Sequence, residues 1–145
     1  MAITLQVSAD AQPESIRPLR DVVASVAKAA GLSKRQVDGL AFCVSEAIAN
    51  AVKHAYPEAE PGPVEVSMRE VGDELAVVVT DHGHVHQPEG SAEHTGFGLA
   101  FIERLTDGCT FTAASDGTTV EMLFPLPRAK ASVETSARKP SQFSL

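Results

Sequence analysis

No apolar run in this sequence is longer than LAVVV, residues 75–79, which is far too short to cross a bilayer. There are only two cysteines, Cys43 and Cys109, far apart and in no C-x-x-C pattern, so they read as reduced core thiols. The opening residues, MAITLQVSADAQPES, show no basic segment followed by an apolar core, so no secretory signal is expected and a cytoplasmic protein is. An excess of positive charge is also missing. The formal net charge is −7, which argues against non-specific binding to nucleic acid or anionic membranes. There is no internal repeat, and from Glu70 to Glu103 there is no lysine or arginine.

What remains is the composition of a globular domain: 145 residues, 43% hydrophobic and 21% charged. Residues 125–145 hold Arg128, Lys130, Arg138 and Lys139 against one acid, Glu134, which makes this tail +3 and leaves −10 on residues 1–124. The tail is rich in Ser, Ala and Pro. A domain over 1–124 and a flexible basic tail over 125–145 are expected.

Periodicity sets out the elements. Residues 2–8 alternate as a strand. Ile16, Leu19, Val22, Val23, Val26 and Ala30 recur at helical spacing over 13–30, with Pro18 placed to delay the start and Gly31 to end the helix. Ser33 and Gln36 form an S-x-x-Q capping box for a second helix, which runs to about Ala55 before Pro57. Val64–Val71 alternates with one wet face, Gly72-Asp73 is a hairpin turn, and residues 75–81 read as a more buried strand. Residues 82–95 form a long loop, residues 97–105 a short helix, and residues 109–113 and 118–124 a last hairpin. The expected fold is α+β, a two-layer α/β sandwich with helices on one face of a mixed, mainly antiparallel sheet.

Three segments carry candidate chemistry. In SEAIANAVKHAY, residues 45–56, Asn50, Lys53 and His54 lie within about 80° of Glu46 around the helix, while Val44, Ile48 and Val52 take the other side. By itself this is an amphipathic helix with a solvated face. In VVVTDHG, residues 77–83, a buried strand delivers Asp81, and Gly83 follows two positions on. A carboxylate there suits an exocyclic amine, and a glycine lets a flat base approach the backbone; an ordinary turn has the same residues. In HTGFGLAFIERL, residues 94–105, Gly96 and Gly98 precede a helix whose free N–H groups suit phosphate. His82, His84 and His86 alternate in the loop and would point the same way if extended, as three metal-binding imidazoles or as solvated side chains.

E-x-x-x-N on a helix, D-x-G after a strand, G-x-G-L opening a helix and Gly117-Thr118-Thr119 in a final hairpin together resemble the Bergerat ATP-binding fold over about residues 3–124. Within it, the sequence is similar to the small anti-sigma factor serine kinases of bacterial partner-switching pathways, whose N-box reads much like SEAIANAVKHAY. The short segment ahead of this helix offers no separate histidine-bearing dimerisation helix, so a histidine kinase is not expected.

The resemblance implies ATP and Mg²⁺ as cofactors. It makes Glu46 the catalytic carboxylate and Asn50 the magnesium ligand. Asp81 becomes the adenine-reading acid, Gly83 the glycine beneath the base, and Thr119 a hydroxyl supporting that contact. Gly96, Gly98 and Leu99 become the second glycine box, Lys53 lies where many histidine kinases have a phosphate-contacting lysine, and His54 joins the ATP-binding set where the serine kinases often have histidine. It implies a STAS-domain anti-anti-sigma protein as substrate, an alternative sigma factor as partner, and dimerisation through the sheet, in which the wet-faced strand at 64–71 could take part. A switch kinase acting on a stressosome-type STAS scaffold, and a nucleotide-poor regulatory module of the same fold, are the alternatives. The loop from Asp81 to Gly96 matches the ATP lid, which is short here and has no lysine or arginine.

Overall fold

The alternation in residues 64–71 and 75–81 becomes two neighbouring strands of one sheet in the computed structural model, which describes residues 2–57, 60–83, 106 and 108–127. In chain order the elements are β1 (Thr4–Asp10), α1 (Pro13–Ala29), α2 (Lys34–His54), β2 (Pro63–Val71), β3 (Glu74–Asp81), β4 (Gly108–Ala114) and β5 (Gly117–Pro125). The strands lie in the order β1-β2-β3-β5-β4. Every pairing among them is antiparallel, so the mixed component expected from sequence is not found among the described strands. The expected helix over residues 97–105, most of the loop before it, and the tail beyond residue 127 lie outside the described residues.

Register explains the core. Paired residues of adjacent strands share a face, and successive residues alternate between faces. Val66, Val79 and Val120 form one buried row across β2, β3 and β5, and Met68, Val77 and Met122 form the next. Leu75 and Phe124 close that end of the layer. Leu40, Val44 and Ile48 of α2 and Leu19 and Val23 of α1 belong to the same buried cluster, so both helices cover one face of the sheet. The other face carries Glu65, Ser67, Thr80, Thr119 and Glu121, each half-buried. Among the described residues no helix is long and apolar enough to cross a membrane.

Two local features set the helices. Pro18 sits inside α1 and does not delay it; the helix starts at Pro13, within its first turn. The Glu14 carbonyl that Pro18 leaves without a helical N–H partner belongs to an exposed residue, so water can take the missing bond. The capping box of α2 forms as its spacing predicts. The Gln36 N–H donates to Ser33 Oγ at 3.2 Å, and the Ser33 N–H donates to Gln36 Oε1 at 2.9 Å. Gln36 Nε2 also donates to the Pro125 carbonyl at 2.9 Å, tying the start of α2 to the end of β5. Cys43 is buried on the inner side of α2.

Ser33→Ala is expected to cost about 1 kcal/mol of stability, because one orphan N–H of the first turn loses its acceptor. Urea denaturation should show a lower midpoint with an unchanged slope.

Candidate nucleotide site

The buried stripe of β3 runs Leu75, Val77, Val79 and then Asp81. Strand periodicity thus places a carboxylate where the next apolar residue would stand, in a row with Val64 of β2 and Thr118 of β5. Asp81 is 8% exposed. Burying an ionised carboxylate without partners costs several kcal/mol, and charge-assisted hydrogen bonds offset part of that cost. Asp81 Oδ1 accepts from the Gly83 N–H at 3.1 Å and from the Thr118 N–H at 3.2 Å. Burial still prevails: it raises the Asp81 pKa above 3.8, against the two backbone N–H groups and the neighbouring His82.

Glycines frame this carboxylate. At Gly83 a Cβ would collide with the Ala55 carbonyl just past the end of α2. Gly83 therefore lets helix and strand end touch, a reason separate from any room it leaves for a base. At Gly117, whose φ is 144°, a Cβ would collide with the Asp81 carbonyl, so side chains are excluded by both conformation and space.

Other expected site residues fall as follows. Glu46 and Lys53 are exposed on α2, and Asn50 and His54 are half-buried beside them. Asn50 stands about 7 Å, and Glu46 about 14 Å, along the helix axis from Ala55, which touches Gly83. Thr119 pairs with Thr80 and Thr112, on the face away from the helices, and these threonines line a cleft of about 270 Å³ together with Asp81, His82, Asp116 and Gly117. The residue on Asp81's own face is Thr118, its direct partner in the ladder. Strand parity counted back from the buried Val120 places Thr118, and not Thr119, on the face of Asp81.

Tyr56 also escaped the sequence reading. Its hydroxyl accepts from the His82 N–H at 2.8 Å and donates to the Pro63 carbonyl at 2.7 Å. Burial, reinforced by the negative charges of Asp81 and Glu65, raises the phenol's pKa against the His82 N–H, so the proton needed for donation is retained. His82 Nε2 stands 3.7 Å from Glu65 Oε2, an exposed pair of small energetic weight. Gly96, Gly98, Leu99, His84, His86 and His94 lie outside the described residues. Among the described residues no group of three or more His, Cys, Asp or Glu side chains gathers to hold a metal ion.

Residues 9–124 match the family model of the histidine kinase-like ATPase domain. The chain is 30% identical to the serine-protein kinase RsbW of Oceanobacillus iheyensis, over 71% of this chain and 75% of that protein. It is also 30% identical to the serine-protein kinase RsbW of Bacillus licheniformis, over 92% of each. Among solved structures it is similar to the RsbU and RsbW domains of Rv1364c from Mycobacterium tuberculosis, with a TM-score of 0.69 and 24% identity. That match covers 86% of this chain and 32% of the longer chain, and it supports the fold alone.

Because the folded pKa of Asp81 is raised, the native state holds a proton that the unfolded chain has released. Stability therefore falls as pH rises from the ordinary carboxylate value through the raised one. Asp81→Asn keeps an oxygen for both backbone donors and abolishes this ionisation. Denaturation at a series of pH values from about 4 to 7 should show a flatter slope for the variant and, at neutral pH, stability no lower than the parent's.

Proposed function

The chain belongs to the histidine kinase-like ATPase domain family, and from that footing we infer that it is an ATP-dependent serine/threonine protein kinase and anti-sigma factor of a partner-switching pathway. Its likeness to serine-protein kinases RsbW across most of its length supports this reading. So does the buried Asp81, held by two backbone N–H groups beside the end of the helix that bears Glu46 and Asn50. The protein substrate is an anti-anti-sigma protein of the STAS type, and the unphosphorylated partner releases a sigma factor from this chain. The kinase acts in the cytoplasm, and the outer face of β2 serves a homodimer.

Each residue has a task the chemistry requires. Asp81 Oδ1 is engaged by backbone donors, which leaves Oδ2 to accept from the exocyclic amine of adenine. Thr118, on the same face, supports that contact in place of Thr119. Asn50 offers an amide oxygen, a donor suited to a hard cation that keeps most of its other ligands as water and phosphate oxygens. Mg²⁺ held there would shield the charge of the β- and γ-phosphates. Lys53 and the backbone amides of Gly96, Gly98 and Leu99 share that load, with His54 nearby, because residues 71–103 supply no lysine or arginine.

Glu46 takes the proton of the substrate serine hydroxyl as its oxygen bonds to the γ-phosphorus. The bond from that phosphorus to the β,γ-bridging oxygen breaks, and ADP leaves.

Transfer of labelled γ-phosphate from ATP to a STAS-domain partner tests the activity. Glu46→Gln should lower transfer at least about 100-fold while leaving ATP affinity within a few-fold; undiminished transfer would remove Glu46 as the base. A pull-down with sigma factor separates this reading from a switch kinase that holds none. Calorimetry should show Thr118→Val weakening ATP binding about five- to tenfold, with Thr119→Val near the parent value.

A further inference from the structure

The peptide unit joining Asp81 to His82 is gripped on both edges. Its carbonyl, that of Asp81, lies against Gly117, where no Cβ would fit. Its N–H, that of His82, donates to the Tyr56 hydroxyl at 2.8 Å. A peptide unit is planar, so fixing both edges fixes its rotation, and with it the ψ angle of Asp81. The aim of the Asp81 side chain follows from that angle.

Tyr56 is itself anchored. Its hydroxyl donates to the Pro63 carbonyl, next to Val64, which is Asp81's ladder partner. Its ring lies flush against Gly62, where a Cβ would strike the ring atoms. It follows Ala55, whose carbonyl packs on Gly83. The end of α2 therefore meets the Asp81–Gly83 turn twice, at the His82 N–H and at Gly83.

The energetic weight of the hydroxyl lies in orientation. His82 is exposed, so water can satisfy its N–H once the phenol oxygen is gone, and the loss of stability is small. Water cannot impose the same direction on the peptide plane. We propose that Tyr56 is a positioning residue for base recognition: its hydroxyl holds the 81–82 peptide so that Asp81 meets the exocyclic amine of adenine, and it couples that end of the site to the helix bearing Glu46 and Asn50.

This inference rests on Asp81 as the adenine-reading acid, and the test separates the two. ITP has a carbonyl oxygen where ATP has the amine, so the ratio of ATP to ITP affinity reports the Asp81 contact. Global destabilisation lowers both affinities and leaves the ratio unchanged. Titration calorimetry is carried out on the full chain, on Tyr56→Phe, which keeps the ring against Gly62, and on His82→Ala, which keeps the backbone N–H. The parent should prefer ATP, Tyr56→Phe should cut that preference about five- to tenfold, and His82→Ala should retain it. An unchanged ratio in Tyr56→Phe, or an equal loss in His82→Ala, would overturn the role of the hydroxyl while leaving Asp81 in place. A parent that binds ATP and ITP alike would overturn both.

Discussion

Two antiparallel pairings fix the register of β3 between β2 and β5, and with it the face on which each of its side chains lies. A shift of one residue would turn Leu75, Val77 and Val79 out of the core, so their burial holds the register strongly. Asp81 is carried into the buried layer by the same parity. The core thus aims the site: three apolar residues at alternate positions determine where a carboxylate sits, and two backbone N–H groups make its burial tolerable.

The helical layer depends on the same strand end. Ala55 can lie on Gly83 only because that residue lacks a Cβ, and Tyr56 reaches the next peptide only because α2 stops where it does. Glu46 and Asn50 are held on a helix whose far end is tied to the Asp81–Gly83 turn. The capping box at Ser33 and the Gln36 bond to Pro125 secure the near end. A helix fixed at both ends against one sheet keeps the two halves of the site at a set separation.

Much of this was legible in the sequence because it depends on local periodicity. The seven described elements follow from alternation, helical spacing and the S-x-x-Q box, and Asp81 at the end of a buried strand followed from VVVTDHG. What was not legible depends on pairing across the chain. Thr118 and Thr119 are chemically identical, and only the ladder to Asp81 and Thr80 assigns each to a face. Tyr56 looked like the end of a helix motif, because its partners Pro63 and His82 lie seven and twenty-six residues away. Pro18 looked like a barrier because sequence alone did not show that the Glu14 carbonyl it affects is at the surface.

The burial of Asp81 has a consequence for how this protein would respond to selection. A stripe of β3 that is otherwise apolar contains a carboxylate whose ionised form burial disfavours. Natural pressure on function and artificial pressure on heat resistance therefore pull on this position in opposite directions. Valine would leave the Gly83 and Thr118 N–H groups without their acceptor, whereas asparagine, whose codons differ from those of Asp by one nucleotide, keeps an oxygen for both. A laboratory screen that rewards thermal tolerance alone has a short path to a neutral side chain at this position, whatever that does to the nucleotide reading proposed for it.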